Sequence, residues 1–274
     1  RPGWHIECSA MSRSLLGETF DIHTGGVDNM FPHHENEIAQ SESVTGKKPF
    51  VKYWLHTGFL KINGEKMAKS LGNFITVREA LKKYDAEAIR LFVLSTHYRS
   101  EIDFTDERLK GAETSLNRLY NSLEALEDAK KDSVEREPNE EEQLFGDNIK
   151  QLRNEFVDAM DEDFNTPRAL ASLFEMSKEI NKFLDEHKQV SSKILETAYD
   201  DFSELGKALG LFLQEKKKEI GGQLADDLVQ LLFELREDLR KKGEYGLSDE
   251  IRSKLKDLGL VIEDTVEGPK WKLL

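Results

Sequence analysis

Pro32-His33-His34-Glu35-Asn36-Glu37, with Cys8 upstream and Lys66-Met67-Ala68-Lys69-Ser70 downstream, decides how the first part of this chain reads. If a helix opens at Phe31-Pro32, proline suits its first turn, and His33 and Glu37 stand at i and i+4 on one face. Two metal-ligating groups then converge. Cys8 is the only cysteine in the chain, and thiolate, imidazole and carboxylate together favour zinc over magnesium or calcium, which prefer oxygen shells. A lone cysteine and a helix-surface His/Glu pair are also common without a metal, so these three residues leave both readings open.

The lysines supply context. Phe59 to Ile62 reads as a strand entering Asn63-Gly64, followed by a tight loop flanked by Lys66 and Lys69 and ending in Ser70-Leu71-Gly72-Asn73. Two ammonium groups on a loop suit charge developing on phosphorus, and so nucleotidyl transfer. Most Lys-x-x-Lys pairs, however, are solvated surface charge.

Several stretches together resemble cysteinyl-tRNA synthetases, a class I aminoacyl-tRNA synthetase family: Gly3 to Met11, Phe20 to Asp28, Phe31 to Gln40, Lys66 to Asn73, Ala86 to Arg90, and Met160 to Pro167. The likeness continues to Trp271. It implies that Cys8, His33 and Glu37 bind zinc, that Trp4 and His23 surround the amino acid, and that Gly26 and Asp28 contact the adenosine ribose. Lys66 and Lys69 would be the catalytic cations, with Lys69 also contacting ATP. Ala68 departs from the family's usual serine, and a modest rate effect is expected.

The resemblance also implies a C-terminal portion of such an enzyme. The HIGH motif, half of the nucleotide-binding fold and a fourth zinc ligand, a cysteine, would lie outside this sequence, and the piece alone is expected to be inactive. The implied fold is an α/β remnant of a class I Rossmann-type catalytic domain, followed by an α-helical bundle and a small α+β anticodon-binding domain. The expected divisions are 1–75, a stem-contact-like connector at 76–106, a tRNA-binding bundle at 107–220 and the terminal domain at 221–274.

The helical expectations come from periodicity. Leu109, Ala112, Leu116, Leu119, Leu123 and Leu126 form an amphipathic stripe. A charged segment around Asp132 to Glu142 reads as an interhelical loop, and another helix runs through Ile149, Leu152, Phe156 and Met160. Thr166-Pro167 reads as N-cap and first helical residue of a helix buried through Leu170, Leu173, Phe174 and Phe183. Ile194, Ala198, Phe202, Leu205 and Leu209 continue the bundle.

The end of the chain reads as a helix through Leu228, Leu231, Leu232, Leu235 and Leu239, and another through Ile251, Leu255 and Leu258. A strand at 259–264 then turns at Glu267-Gly268 into the strand carrying Trp271. By resemblance, Arg240, Asp249, Arg252, Asp264 and Trp271 read anticodon bases by hydrogen bonding and stacking. Tyr245 stands where the family more often has tryptophan or phenylalanine, so an aromatic remains, while Leu247-Ser248-Asp249 departs from the family's Ala-Asp pair.

Composition agrees without deciding. The net charge of −14 opposes non-specific RNA affinity, but Lys216-Lys217-Lys218, Arg240-Lys241-Lys242 and Lys270-Trp271-Lys272 are local basic clusters. No stretch approaches the roughly 18 apolar residues of a membrane span, and a single cysteine permits no intrachain disulfide, so a cytoplasmic location is expected; a monomer is expected separately, without a sequence feature that fixes it. The implied activity is ATP-dependent ligation of L-cysteine to tRNA(Cys) through a cysteinyl-adenylate, with one zinc ion and Mg-ATP. The alternatives are a ligase joining cysteine to an amino sugar, against which Arg240 to Trp271 argue, and a non-catalytic RNA-binding module.

Overall fold

In the computed structural model, the described residues are 3–67, 72–213, 231–257 except 233 and 237, and the backbone of 260–265 and 268–273. Two units are distinct, Arg1–Leu213 and Gln214–Leu274.

The first unit begins with α1 (His5–Leu16), β1 (Phe20–Gly26), α2 (Glu35–Thr45) and β2 (Val51–Thr57). β1 and β2 pair in parallel with Phe20 opposite Val51 and Gly26 opposite Thr57, so α2 is the crossover of a β-α-β unit. Phe20, Phe50 and Val51 bury its small core.

The entry to α2 differs from the simple helix start expected at Phe31-Pro32. Gly26 leads into a 3₁₀ turn at Val27–Asn29 and a π-helical turn at Met30–His34, within which Phe31 is extended (φ −136°, ψ 133°). The Phe31-Pro32 peptide is cis. Helical backbone resumes at Pro32, so His33 lies in the wide turn and Glu37 in the first turn of α2.

β3 (Leu60–Ile62) and β4 (Glu65–Lys66) form an antiparallel hairpin, and β5 (Ile102–Phe104) pairs in parallel with β3. Asn63 (φ 51°) and Gly64 (φ 82°) are both left-handed, the two-residue turn that Asn-Gly favours. Lys66 therefore belongs to a strand, while Ala68, Lys69, Ser70 and Leu71 lie outside the described residues.

α3 (Val77–Ala80) and α4 (Ala86–Leu94) lead through β5 to a bundle of α5 (Asp106–Lys131), α6 (Glu140–Asp161), α7 (Thr166–Glu186) and α8 (Ser192–Ala208). The Leu109 to Leu126 stripe faces inward, with Leu109, Leu119 and Leu126 fully buried and Leu123 packed at the margin. Ala88 and Leu91 of α4 join the same core as the bundle.

Three local expectations change. The interhelical loop ends at Asn139, whose side chain caps α6 in a reciprocal capping box with Glu142. Glu142 lies inside α6 and is buried, gripped by Arg136 Nη1 and Nη2 at 2.7 and 2.8 Å and by the Ser191 N–H at 3.0 Å. The cap of α7 is Asn165, which accepts from the Arg168 N–H, while the Thr166 hydroxyl donates instead to the Leu94 carbonyl at 2.8 Å. Phe174 and Ile194 pack at the edge of the core rather than inside it.

In the second unit, backbone at 231–232, 234–236 and 238–241 is helical, and α9 spans Tyr245–Asp257. Leu255, Ser248 and Arg236 are buried, whereas Leu231 and Leu235 are half-exposed. Leu228 and Leu258 lie outside the described residues. β6 (Leu260–Thr265) and β7 (Gly268–Leu273) form an antiparallel pair with Ile262 opposite Trp271.

Candidate metal and nucleotide site

α1 packs on α2, and the Ser9 hydroxyl, 2.8 Å from Gln40 Oε1, ties the two helices together. This places Cys8 over the start of α2. A Cys8, a His33 and a Glu37 donor atom all lie within 4.8 Å of one another. Glu37 is fully buried, with His33 Nε2 2.7 Å from Oε1 and His23 Nε2 3.4 Å from Oε2. Those distances do not come with hydrogen-bonding angles: both carboxylate oxygens are buried without a hydrogen-bond partner. Such a carboxylate is costly in a core unless a cation completes it.

The electrostatics follow from that burial. Desolvation pushes the Glu37 carboxyl up to about 7. Burial, then the Glu37 and Glu7 charges, raise the Cys8 thiol. Burial, then neighbouring imidazoles, lower His33 and His23 and bring His34 down to about 4. All of these favour neutral forms, and a neutral imidazole is the ligating form. The donor set fits zinc: sulfur, nitrogen and oxygen donors lie within 4.8 Å of one another, and His33 Nδ1 is held 2.7 Å from His5 Nδ1, leaving Nε2 turned toward Glu37.

Around this core sit His23, His34 and Trp4, together with His5, His56 and Trp54, which the sequence did not single out. His5 bonds His33, His34 Nδ1 lies 2.8 Å from His56 Nε2, and His23 packs edge-on to both His34 and Trp54 at about 4.9 and 4.8 Å between ring centroids. A Cβ on Gly25 would come within 2.6 Å of His34, so only glycine admits this ring. Five of the seven histidines thus gather here from four different elements. Trp4, left-handed at φ 58° and mostly exposed, lies 5.9 Å from the His33 ring.

The nucleotide candidates lie at the ends of the strands. Gly26 closes β1, and a Cβ there would press to 2.5 Å from Asp28 Oδ1. Lys66 Nζ lies 3.8 Å from Asp28 Oδ2 and 3.7 Å from the centre of the Phe59 ring. The hairpin therefore brings Lys66 beside the Gly26-Val27-Asp28 turn, while Lys69 lies outside the described residues. In the second unit Arg240 and Asp249 are exposed on their helices, Asp264 and Trp271 occupy β6 and β7, and the side chains of Arg252, Asp264 and Trp271 lie outside the described residues.

Comparison with known proteins converges on one family. Residues 1–114 match the catalytic domain of class I (C) tRNA synthetases, and residues 155–214 match the DALR domain. The chain is 50% identical over 273 residues to the cysteine–tRNA ligase of Thermococcus gammatolerans, covering 99% of this chain and 57% of that protein. Over 99% of its length the chain is similar to cysteine–tRNA ligases, and its first 114 residues carry the class I (C) tRNA-synthetase catalytic domain. The cysteine–tRNA ligases of Thermococcus onnurineus and Heliobacterium modesticaldum are 48% and 47% identical, again over 99% of this chain. The chain spans 57–58% of the length of these three family members. A ternary complex of Agrobacterium radiobacter LeuRS with tRNA and LeuAMS shares the fold, with a TM-score of 0.55 and 18% identity over 70% of this chain and 28% of its own. No helix among the described residues is long and apolar enough to cross a membrane.

Proposed function

We propose that the protein containing this chain attaches L-cysteine to tRNA(Cys) through a cysteinyl-adenylate, with ATP as the second substrate. The observation that carries this reading is Glu37, a fully buried carboxylate without hydrogen bonds, facing Cys8 and His33 in a chain 50% identical to a cysteine–tRNA ligase. Cys8, His33 and Glu37 would hold zinc, which when bound supplies a soft acceptor for the substrate's thiolate. That contact separates cysteine from serine, whereas packing alone against an isosteric hydroxyl discriminates by only ~1–3 kcal/mol.

The chain's own groups set the remaining chemistry. His5 fixes the His33 ring, and His23, with Trp4, flanks the place where the amino acid sits. Gly26 leaves room at the end of β1 for a ribose, and Asp28 accepts from its hydroxyls. Lys66 and Lys69 stand against the α-phosphate as the cysteine carboxylate attacks it and pyrophosphate leaves. Arg240, Asp249, Arg252, Asp264 and Trp271 engage unpaired anticodon bases, and the protein acts as a cytoplasmic monomer.

Cysteine-dependent ATP–pyrophosphate exchange and charging of tRNA(Cys) by the full-length protein test the reading. Both activities are expected, with serine rejected. Exchange supported equally by serine, or exchange with cysteine but no charging of any tRNA, would overturn it. Lys69→Ala is expected to slow exchange by roughly 10²-fold with zinc retained.

A further inference from the structure

The corner between α6 and α7, Met160-Asp161-Glu162-Asp163-Phe164-Asn165-Thr166-Pro167, is more than a helix connection. Asp163 (φ 56°) and Phe164 (φ 53°) are consecutive left-handed residues without being glycine, a backbone state that bulky side chains rarely adopt and that tends to mark sites held by their surroundings. The turn aims the Asp163 carboxylate away from its own helix. Oδ1 accepts from the Tyr98 hydroxyl at 2.7 Å and Oδ2 from Arg99 Nε at 2.5 Å, with His97 Nε2 3.9 Å away. Three residues on, the Thr166 hydroxyl donates to the carbonyl of Leu94, the last residue of α4. The two side chains thus grip the start and the middle of the link between α4 and β5.

That link is in turn bonded to the Lys66 hairpin. The Gly58 N–H donates to the Tyr98 carbonyl at 2.8 Å, and a Cβ on Gly58 would clash with the Ser100 carbonyl, so the two backbones touch. The Ile102 N–H donates to the Phe59 carbonyl at 3.0 Å, β5 pairs with β3, and Asp103 Oδ1 accepts from the Gly64 N–H at the hairpin tip. Lys61 and Glu101 add an ion pair across the same strands. Every step from Asp163 to the hairpin carrying Lys66 is a hydrogen bond or a backbone contact.

We propose that Asp163, Arg99 and Thr166 are positioning residues: they form a joint through which the α6–α7 corner sets the place of the β3–β4 hairpin and its lysine. This rests on the reading of Lys66 as a phosphate-facing cation. None of the three touches the reacting atoms. Their effect is on the rate of adenylate formation, because a cation displaced by about 1 Å from a developing charge loses up to roughly 10²-fold in rate.

The test uses the full-length protein with Asp163→Asn, Arg99→Ala and the double substitution. Asparagine tolerates the left-handed turn and so removes the charge while keeping the corner. In Asp163→Asn and in Arg99→Ala, kcat for ATP–pyrophosphate exchange is expected to fall roughly ten-fold, with KM for cysteine and zinc content unchanged. The double variant should be no slower than the worse single one, because both break one joint. Amide hydrogen exchange at 59–66 should accelerate in each variant. Unchanged kcat in folded variants, additive losses, or unaltered exchange protection at 59–66 would overturn the joint. The amide measurement needs no activity, so a wild-type protein inert in pyrophosphate exchange would refute the enzymatic reading while the joint was still judged on its own.

Discussion

Glu37 and Glu87 are both buried carboxylates, 0% and 4% exposed, in two parts of the same unit. Glu87 is surrounded by donors: the Tyr120 hydroxyl at 2.9 Å and the Phe212 and Leu213 N–H groups at 3.0 Å. It clamps the end of the bundle, where Gly210 and Phe212 take left-handed turns, and its chemistry is complete. Glu37 has no such donors. The difference teaches that burial alone does not mark a site; a buried charge whose valences are met holds the fold, and one whose valences are open awaits a ligand.

The sharpest way to break that comparison is to neutralise each carboxylate in the full-length protein. Glu37→Gln should weaken zinc binding by roughly 10²- to 10³-fold, a quarter of the ~10–16 kcal/mol a four-ligand zinc contributes, as read by competition with a chelator. Equal zinc affinity would mean that Glu37 is only a misplaced core charge. Glu87→Ala should leave zinc affinity alone and lower unfolding stability by about 3 kcal/mol, since a hydroxyl and two amides lose their acceptor. Denaturant unfolding checks this, and an unchanged midpoint would remove the clamp.

The two kinds of carboxylate should also respond to pH with opposite sign. In zinc-free protein the Glu37 carboxyl titrates at about 7 against an ordinary 4.5, so the folded state holds its proton longer. Its contribution is greatest below pH 4.5 and is lost as pH rises to 7, about 3 kcal/mol by linkage. His34, lowered to about 4 from 6.5, works in the other direction over about pH 4 to 6.5. The two slopes largely cancel in one curve, and the readout is the difference between wild type and Glu37→Gln. Glu142 behaves as the usual carboxylate: burial raises it, but Arg136 and two backbone N–H groups outweigh that and hold it low. Its stabilisation is lost as pH falls through its depressed value. A Glu37→Gln difference that grew with acidity would contradict the assignment.

The smallest effect concerns a cap. Asn165→Ala removes the acceptor of the Arg168 N–H and should cost about 1 kcal/mol by thermal melting, without altering zinc binding. A cost well above that would mean Asn165 also secures the joint at Asp163.

What was legible in the sequence was local. The His33 to Glu37 spacing, the Asn63-Gly64 turn and the Leu109 to Leu126 stripe each lie within one element or turn, where periodicity and turn chemistry act. The histidine pairs His5–His33 and His34–His56 join residues 28 and 22 apart, and no local pattern encodes them. Asp163 meets Arg99 across 64 residues. Glu142 belongs to an acidic stretch that reads as a loop, and its burial depends on Arg136, six residues earlier, together with the Asn139 and Ser191 N–H groups. Thr166-Pro167 fits a cap and first helical residue, but the Thr166 hydroxyl donates to the Leu94 carbonyl and Asn165 caps instead.

The central claim is that Cys8, His33 and Glu37 share one zinc ion, and X-ray absorption at the zinc edge of the full-length protein tests it most directly. Wild type should bind one zinc per chain with sulfur in its first coordination shell. Cys8→Ser should lose one sulfur neighbour, or the metal altogether, together with cysteine-dependent pyrophosphate exchange. Zinc retained in Cys8→Ser with the same sulfur shell and the same affinity for cysteine would contradict the account.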